Sequence, residues 1–217
     1  MRSMPLPLLA KPRLLPVLAL GLALLCVPAA WAGTWTIDPA HSSAQFVVRH
    51  MMVSNVRGEF AKLTGTVEFD PNDVTRSKVE ATIDVATIST REPKRDEHLK
   101  SADFFDVSKY PTIVFRSKSV DKSGEGFKVT GDLTIRGVTR EVVLEVDPLS
   151  QEIKGPGGIK RTGTSARTRI NRKDFGLVWN RVLEAGGVAV GEEVAINIDV
   201  ELITKAATGG GGKDNAR

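Results

Sequence analysis

The chain has 217 residues, with 30 Lys or Arg, 26 Asp or Glu, three histidines and a single cysteine. Three of the basic side chains and none of the acidic ones lie in residues 1–32, leaving 27 basic against 26 acidic, a net of +1, and no basic block of five or six residues; nucleic acid is thereby disfavoured as the principal partner. One cysteine can form neither an intrachain disulfide nor the paired thiolates of a structural metal site.

Arg2, Lys11 and Arg13 precede an apolar run from Leu14 to Val27, and Ala30-Trp31-Ala32 follows before Gly33, the arrangement of a secretory signal with small residues at its cleavage site. Residues 1–32 are expected to be a cleaved signal peptide and the mature chain to be a soluble periplasmic protein. The apolar run falls short of the roughly 20 residues a spanning helix needs, and no later stretch approaches that length, so no stable membrane insertion is expected. Ala23-Leu24-Leu25 lacks the small residue a lipoprotein signal places before its cysteine, and cleavage after Ala32 removes Cys26 altogether.

From Gly33 onward apolar and polar residues alternate in segments of roughly 8 to 14 residues, the pattern of long antiparallel strands. Ala44, Phe46, Val48 and His50 share one face of the first long strand, with Gln45, Val47 and Arg49 opposite. Between Gly58 and Asp70, Leu63, Val67 and Phe69 are in phase but Phe60 is not, which predicts a one-residue slip near Ala61-Lys62. Asp70-Pro71-Asn72-Asp73 turns the chain. Val79, Ala81, Ile83 and Val85 then alternate with Lys78, Glu80, Thr82 and Asp84 in a half-buried strand ending near Ile88. Residues 94–101 read as one short charged helix.

Ile113 and Phe115 begin a strand that fades at Asp121 to Gly124, and Phe127, Val129, Leu133 and Ile135 line one face of the next. Gly137 permits a tight turn, after which Val138, Val142, Leu144 and Val146 return. Thr162 to Ile170 makes a weaker polar strand, and Val188 to Leu202 closes the set. The pattern predicts an all-β fold, an extended antiparallel barrel of about eight strands with one short helix near residues 94–101, forming one domain over residues 33–204. Such a closure leaves no exposed edge and can hold one small ligand. Lys205 to Arg217, with four consecutive glycines, cannot bury apolar surface and is expected to be a disordered tail.

Local catalytic signatures are missing. No Gly-x-Ser-x-Gly is present, and His41, His50 and His98 have no metal-ligand spacing to one another or to carboxylates, so neither a metal nor a cofactor is expected. His50, on the apolar face with Phe46 and Val48, is either a hydrogen-bonded interior histidine or a contact for a ligand headgroup. Asp96 and His98 lie two apart, point to different helix faces and read first as solvated. Phe104, Phe105 and Tyr110 follow the helix and either plug one end of the core or wall a pocket. Arg167 and Arg169 share a strand face, with Arg161 in phase and Arg172 and Lys173 nearby. Such a cluster suits a diphosphate, although an exterior stripe paired with carboxylates is the default reading.

Four stretches, FVVRHMMVSNVRGEF (46–60), KRDEHLKSADFFDVSKYP (94–111), VTGDLTIRGVTREV (129–142) and INRKDFGL (170–177), closely resemble the YceI-like family of bacterial secreted proteins, and the likeness covers nearly all of Thr34 to Thr204. Gln151 to Lys160 and the glycine-rich tail show no family pattern. The resemblance implies a lipocalin-like barrel around a narrow apolar tunnel, with Phe46, Val48, His50, Phe69, Val85, Phe115, Phe127, Leu133, Ile135, Leu144, Ile196 and Ile198 facing it. It further implies non-covalent binding of a polyisoprenoid or another long-chain amphiphile, quinone-like or acyl, for transport, storage or sequestration without catalysis. His50, His98, Arg167 and Arg169 are the headgroup candidates. Two rival readings remain: a hydrolase or isomerase of such lipids with His50 as base, and an empty barrel serving as an interaction module for a membrane redox protein. The oligomeric state stays open, a homodimer included.

Overall fold

The computed structural model describes residues 33–204, Ala185 excepted; the expected signal peptide and C-terminal tail lie outside the described residues. The strands are β1 (Thr34–Ile37), β2 (Ser43–His50), β3 (Ser54–Phe60), β4 (Leu63–Glu68), β5 (Lys78–Asp84), β6 (Ile88–Ser89), β7 (Thr112–Ser123), β8 (Gly126–Ile135), β9 (Val138–Val146), β10 (Ile153–Lys154), β11 (Lys160–Asn171) and β12 (Val190–Thr204). One α-helix, α1 (Pro93–Lys100), interrupts them.

All pairings are antiparallel, and the long β11–β12 ladder closes the sheet on itself. β1 and β2 both border β12, β3 and β4 form the next wall, and β5 and β6 the one after. Counting each of these pairs as one interrupted strand, with β7, β8, β9, β11 and β12, gives the eight walls of a closed barrel. Among the described residues no helix is long and apolar enough to cross a membrane.

Alternation decides which face turns inward, because successive side chains point to opposite sides of a strand. In β8, Val129, Leu133 and Ile135 are buried while Lys128 is exposed. β7, β11 and β12 follow the same rule, with Phe115, Ala166 and Leu202 inside.

The expected slip at Ala61-Lys62 is a break between β3 and β4, which lets both Phe60 and Leu63 turn inward although they are three apart. A second break lies beside it. Asp84 N donates to Lys62 O at 3.0 Å and Lys62 N to Thr87 Oγ1 at 3.3 Å. The strand read as continuing to Ile88 therefore stops at Asp84, and Val85 sits in a 3-10 turn, not in the alternation. The cause is local capping: the Asp84 carboxylate accepts from Ala86 N at 3.1 Å, and Thr87 Oγ1 donates to Asp84 O at 2.6 Å.

The helix begins at Pro93, one residue before the expected start, because Pro suits the first helical position and the Glu92 carboxylate accepts from Lys94 N and Arg95 N. β1 and the two-residue β10 were not foreseen, both being too short to show a period. β11 and β9 pair only at Ala166–Val146 and Arg167–Glu145, and the 3-10 turn Arg172–Phe175 packs against β9 beyond them.

Candidate functional site: an apolar lumen

A cavity of about 260 Å³ runs inside the barrel, its wall almost wholly carbon. Phe46, Val48, Phe69, Phe115, Phe127, Leu133, Ile135, Leu144, Ile196 and Ile198 all line it, each from the inward phase of its strand or the residue just past it. Val85 does not. It is 1% exposed, packed into the core with its N–H on Pro111 O. His50 is also absent from the lining; it ends β2 opposite Ser54 and Val190, half-buried at the rim.

Room for the lumen comes partly from glycines. A Cβ on Gly58 would lie 2.3 Å from Phe46 Cζ, and one on Gly131 2.6 Å from Phe115 Cζ, so both rings rest against bare backbone of a neighbouring strand. Flattened rings line the wall where upright ones would fill the centre. Gly58→Ala is expected to push the Phe46 ring toward the lumen, since the ring can swing and the backbone need not, and to weaken long-chain ligand binding several-fold. Titration with a fluorescent polyprenyl probe checks it; unchanged affinity would remove the ring from the argument.

Aromatics gather at both ends. Near α1, Phe60 meets Phe105 edge-on at 5.7 Å, and Phe104 contacts Trp179 at 5.2 Å and His98 at 5.0 Å. Phe104 and Phe105 both line the cavity, so they wall its helix end without filling it. Tyr110 does not line it; a Cβ on Gly137 would lie 2.7 Å from its ring. At the opposite end Phe69 meets Phe127 at 5.8 Å.

The headgroup candidates stand elsewhere. Ala166, Thr168 and Ile170 take the inward positions of β11, which turns Arg167 and Arg169 outward onto Asp147 and, at 2.7 Å, Glu193. His98 holds Asp103 Oδ2 at 2.9 Å and stacks edge-on against Trp179, its side chain still 40% exposed, so it belongs to a partly solvated aromatic cluster near the helix and stands off the lumen. Asp96 accepts from Thr90 N at 2.8 Å, which ties the helix to the residues after β6.

Among the described residues the cation that does touch the lumen is Arg172, 4% exposed. Its Nε donates to Gly191 O at 2.8 Å, Nη1 to Trp179 O at 2.9 Å and to Leu177 O, and Nη2 to Val190 O at 3.2 Å. One guanidinium thus joins both ends of the loop from Leu177 to Gly191. Burial pushes its pKa below the ordinary arginine range, opposed only by the Glu192 carboxylate. An arginine remains charged even so.

A second arginine, Arg136, donates to Gly176 O at 2.7 Å and to Ala102 O at 2.8 Å, holding the loop after α1 to the same region. The sequence pattern puts Arg172 near the turn beside the Arg167–Arg169 stripe, read as an exterior stripe by default or as a diphosphate grip, and gives no sign that Leu99 and Leu177 line the lumen or that Trp179 packs at its helix end. The signal for Arg172 was Asn171, whose side chain accepts from Lys173 N and turns the chain inward, with Gly176 at φ +76° ending the turn.

Spacing also concealed one titratable group. Asp38, His41 and Glu201 converge across the sequence, with His41 Nδ1 2.9 Å from Asp38 Oδ2. Arg161 donates to both carboxylates, 3.1 Å from Asp38 Oδ2, so their charge is already countered. The His41 hydrogen bond, with those from Ala40 N and Arg161, holds Asp38 below the usual carboxylate range despite its burial.

A family model described as YceI-like domain matches residues 35–202. UPF0312 protein SAS2572 of Staphylococcus aureus strain MSSA476 is 40% identical over 168 residues, 77% of this chain and 96% of the relative. Among solved structures, BcnA of Burkholderia cenocepacia superposes with a TM-score of 0.66 at 25% identity, covering 76% of this chain and 98% of that one. A polyisoprenoid binding domain from Saccharophagus degradans, implicated in plant cell wall breakdown, superposes with a TM-score of 0.58 over 78% of this chain and 98% of its own length; at 16% identity it speaks to the fold alone.

Proposed function

The chain belongs to the YceI-like family, and from that premise we propose that it binds a polyisoprenoid or similar long-chain amphiphile non-covalently, as a periplasmic carrier, store or sequestering protein. The observation that carries the reading is the carbon-lined lumen inside the closed barrel. The Saccharophagus degradans domain, described as polyisoprenoid-binding, has the same barrel, and the reading for this chain stands on its own lining. Burying a tail there is favourable by about 0.8 kcal/mol per methylene, so ten methylenes contribute about 8 kcal/mol before the cost of association.

A catalytic role finds little support in the lining. Among the described residues it contains no His, Asp, Glu, Lys or Cys; Arg172 is the one charged residue of that set, and all but one of its guanidinium N–H groups are engaged by backbone carbonyls. A general base must come within hydrogen-bond reach of the proton it removes. The periplasmic placement rests on the signal-like residues 1–32.

Native mass spectrometry of protein purified without detergent, followed by organic extraction, is the test. One prenyl, quinone-like or acyl molecule per barrel is expected. Bare protein that also refuses added polyprenyl lipid would overturn the carrier reading in favour of an empty interaction module.

A further inference from the structure

Seven large apolar side chains stand exposed among the described residues, and five of them, Met51, Met52, Val53, Val178 and Val182, belong to two neighbouring loops at one end of the barrel. Their exposures run from 44% at Met51 to 80% at Val182. The first loop is the β2–β3 turn and the second joins Leu177 to Val190. They are stitched together: Met51 N donates to Ala189 O at 2.8 Å, Ala189 N to Arg181 O at 2.9 Å, and Val182 bridges Val188. A Cβ on Gly187 would lie 3.8 Å from Met52 Cγ. Asn180, two residues after Val178, brackets Val190 with its side-chain amide at 2.7 and 3.0 Å. These contacts make one apolar tip of two loops.

The β2–β3 turn is built against local preference. Val53 N donates to His50 O at 3.0 Å, and the two central residues, Met51 and Met52, have φ of 47° and 61°. Two left-handed residues in succession mark a type I′ turn, which Asn-Gly adopts without strain. Two methionines, each with a Cβ, are unfavourable there, and their side chains find no interior to enter. Exposed methionines are adaptable apolar surface, suited to a soft partner more than to a shaped one.

We infer that this tip is a membrane-docking surface, seating the barrel reversibly on an anionic lipid bilayer so that cargo passes between bilayer and lumen. The inference rests on the carrier reading above. Two observations select lipid as the occupant. The first is charge: Arg49, whose Nε and Nη2 donate to Met52 O at 3.3 and 3.0 Å, and exposed Arg181 flank the apolar residues, against one carboxylate in the same loop, Glu184. Apolar side chains flanked by two guanidinium groups match the boundary between acyl chains and anionic headgroups. The second is continuity. β2 carries Phe46 and Val48 on the lumen wall and ends in the tip, while Leu177 and Val190, at the two ends of the second loop, also line the lumen. A long tail leaving beside the tip avoids water, which opposes its transfer methylene by methylene.

The test is flotation of the purified protein with vesicles of phosphatidylethanolamine and phosphatidylglycerol, compared with phosphatidylcholine alone. The protein is expected to float with the anionic vesicles and to be released as salt rises. Three proteins separate the arms. Val182→Asp should lose at least about tenfold in vesicle partitioning with its melting temperature unchanged. The double substitution Met51→Asn with Met52→Gly should also lose partitioning while melting no lower, since it relieves the turn. Ala166→Phe, which blocks the lumen, should float like the parent while carrying no cargo, so failure of the carrier reading is seen in the extract and not in the flotation. The inference is overturned if the parent does not float with anionic vesicles, if either tip variant floats like the parent, or if the tip proves to be covered by a second copy, seen as a dimer that Val182→Asp dissolves.

Discussion

Ala166→Phe is expected to empty the barrel without unfolding it. Ala166 lies midway along β11, 7% exposed, paired with Ile198 on β12 and Val146 on β9, and lines the lumen. A phenyl ring there enters space that already exists, so the overpacking cost of about 1–3 kcal/mol that a filled core would impose is largely avoided. The ring does exclude the ligand's tail. If it denies the tail three methylenes, binding loses about 2.4 kcal/mol, roughly 50-fold, and a ring across the whole lumen abolishes it. Extracted lipid per barrel and the melting temperature of the delipidated protein are the two readouts. Lys128→Ala, on the outward face of β8, is the matched control and should retain cargo. Full cargo in Ala166→Phe would place the ligand outside the lumen.

Arg172→Met is expected to be the most destabilising single change at the helix end. The substitution keeps length and apolar bulk but removes the donors that serve the carbonyls of Leu177, Trp179, Val190 and Gly191. Val190 O keeps the Asn180 side-chain amide, so three carbonyls lose the donor they have here; a buried acceptor left without a partner costs about 1–3 kcal/mol, so the loss is about 3 kcal/mol or more. For a domain of this size that corresponds to a melting temperature lower by about 6–12 °C. Arg172→Lys should recover part of the loss, because an ammonium group can serve some of these carbonyls but lacks the planar fork that reaches both loop ends. Thermal melts with hydrogen exchange across residues 177–191 decide it. A melting temperature within about 2 °C of the parent, with protection in the loop intact, would show that Arg172 does not clasp it.

Most of the lumen was legible because its residues obey a two-residue period. Phe46 and Val48, Leu133 and Ile135, and Ile196 and Ile198 could be assigned to one face from spacing alone, and they line the same cavity. The errors fall where that period is interrupted. Val85 continues the alternation of β5 on paper, but the Asp84 carboxylate caps a 3-10 turn that rotates it into solid core. His50 keeps the phase of Phe46 and Val48, yet it is the last residue of β2, where the wall ends and the inward direction no longer points at the lumen. Tyr110 follows a helix and a loop, where no period exists to assign its face, and it packs over Gly137.

The arginines show the same division. Arg167 and Arg169 look like anion ligands in a list of residues, but strand phase turns them outward, where Asp147 and Glu193 pair with them and such pairs contribute little, about 0–1 kcal/mol each. Arg172, three residues beyond Arg169, has left the strand for the turn begun by Asn171, and that turn carries it inside.

By itself the sequence determined the strand phases, the break near Ala61-Lys62, the short charged helix and the all-β class, because side-chain alternation is a local property of the backbone and its nearest neighbours. Only the tertiary structure decided that β11 and β12 close the barrel, that Arg172 ties Leu177 to Gly191, and that Met51, Met52, Val178 and Val182 meet at one tip. Each of these joins groups brought together by the path of a loop or the closing of the ring, and the energy that selects them comes from burial and hydrogen bonds between segments far apart in the chain.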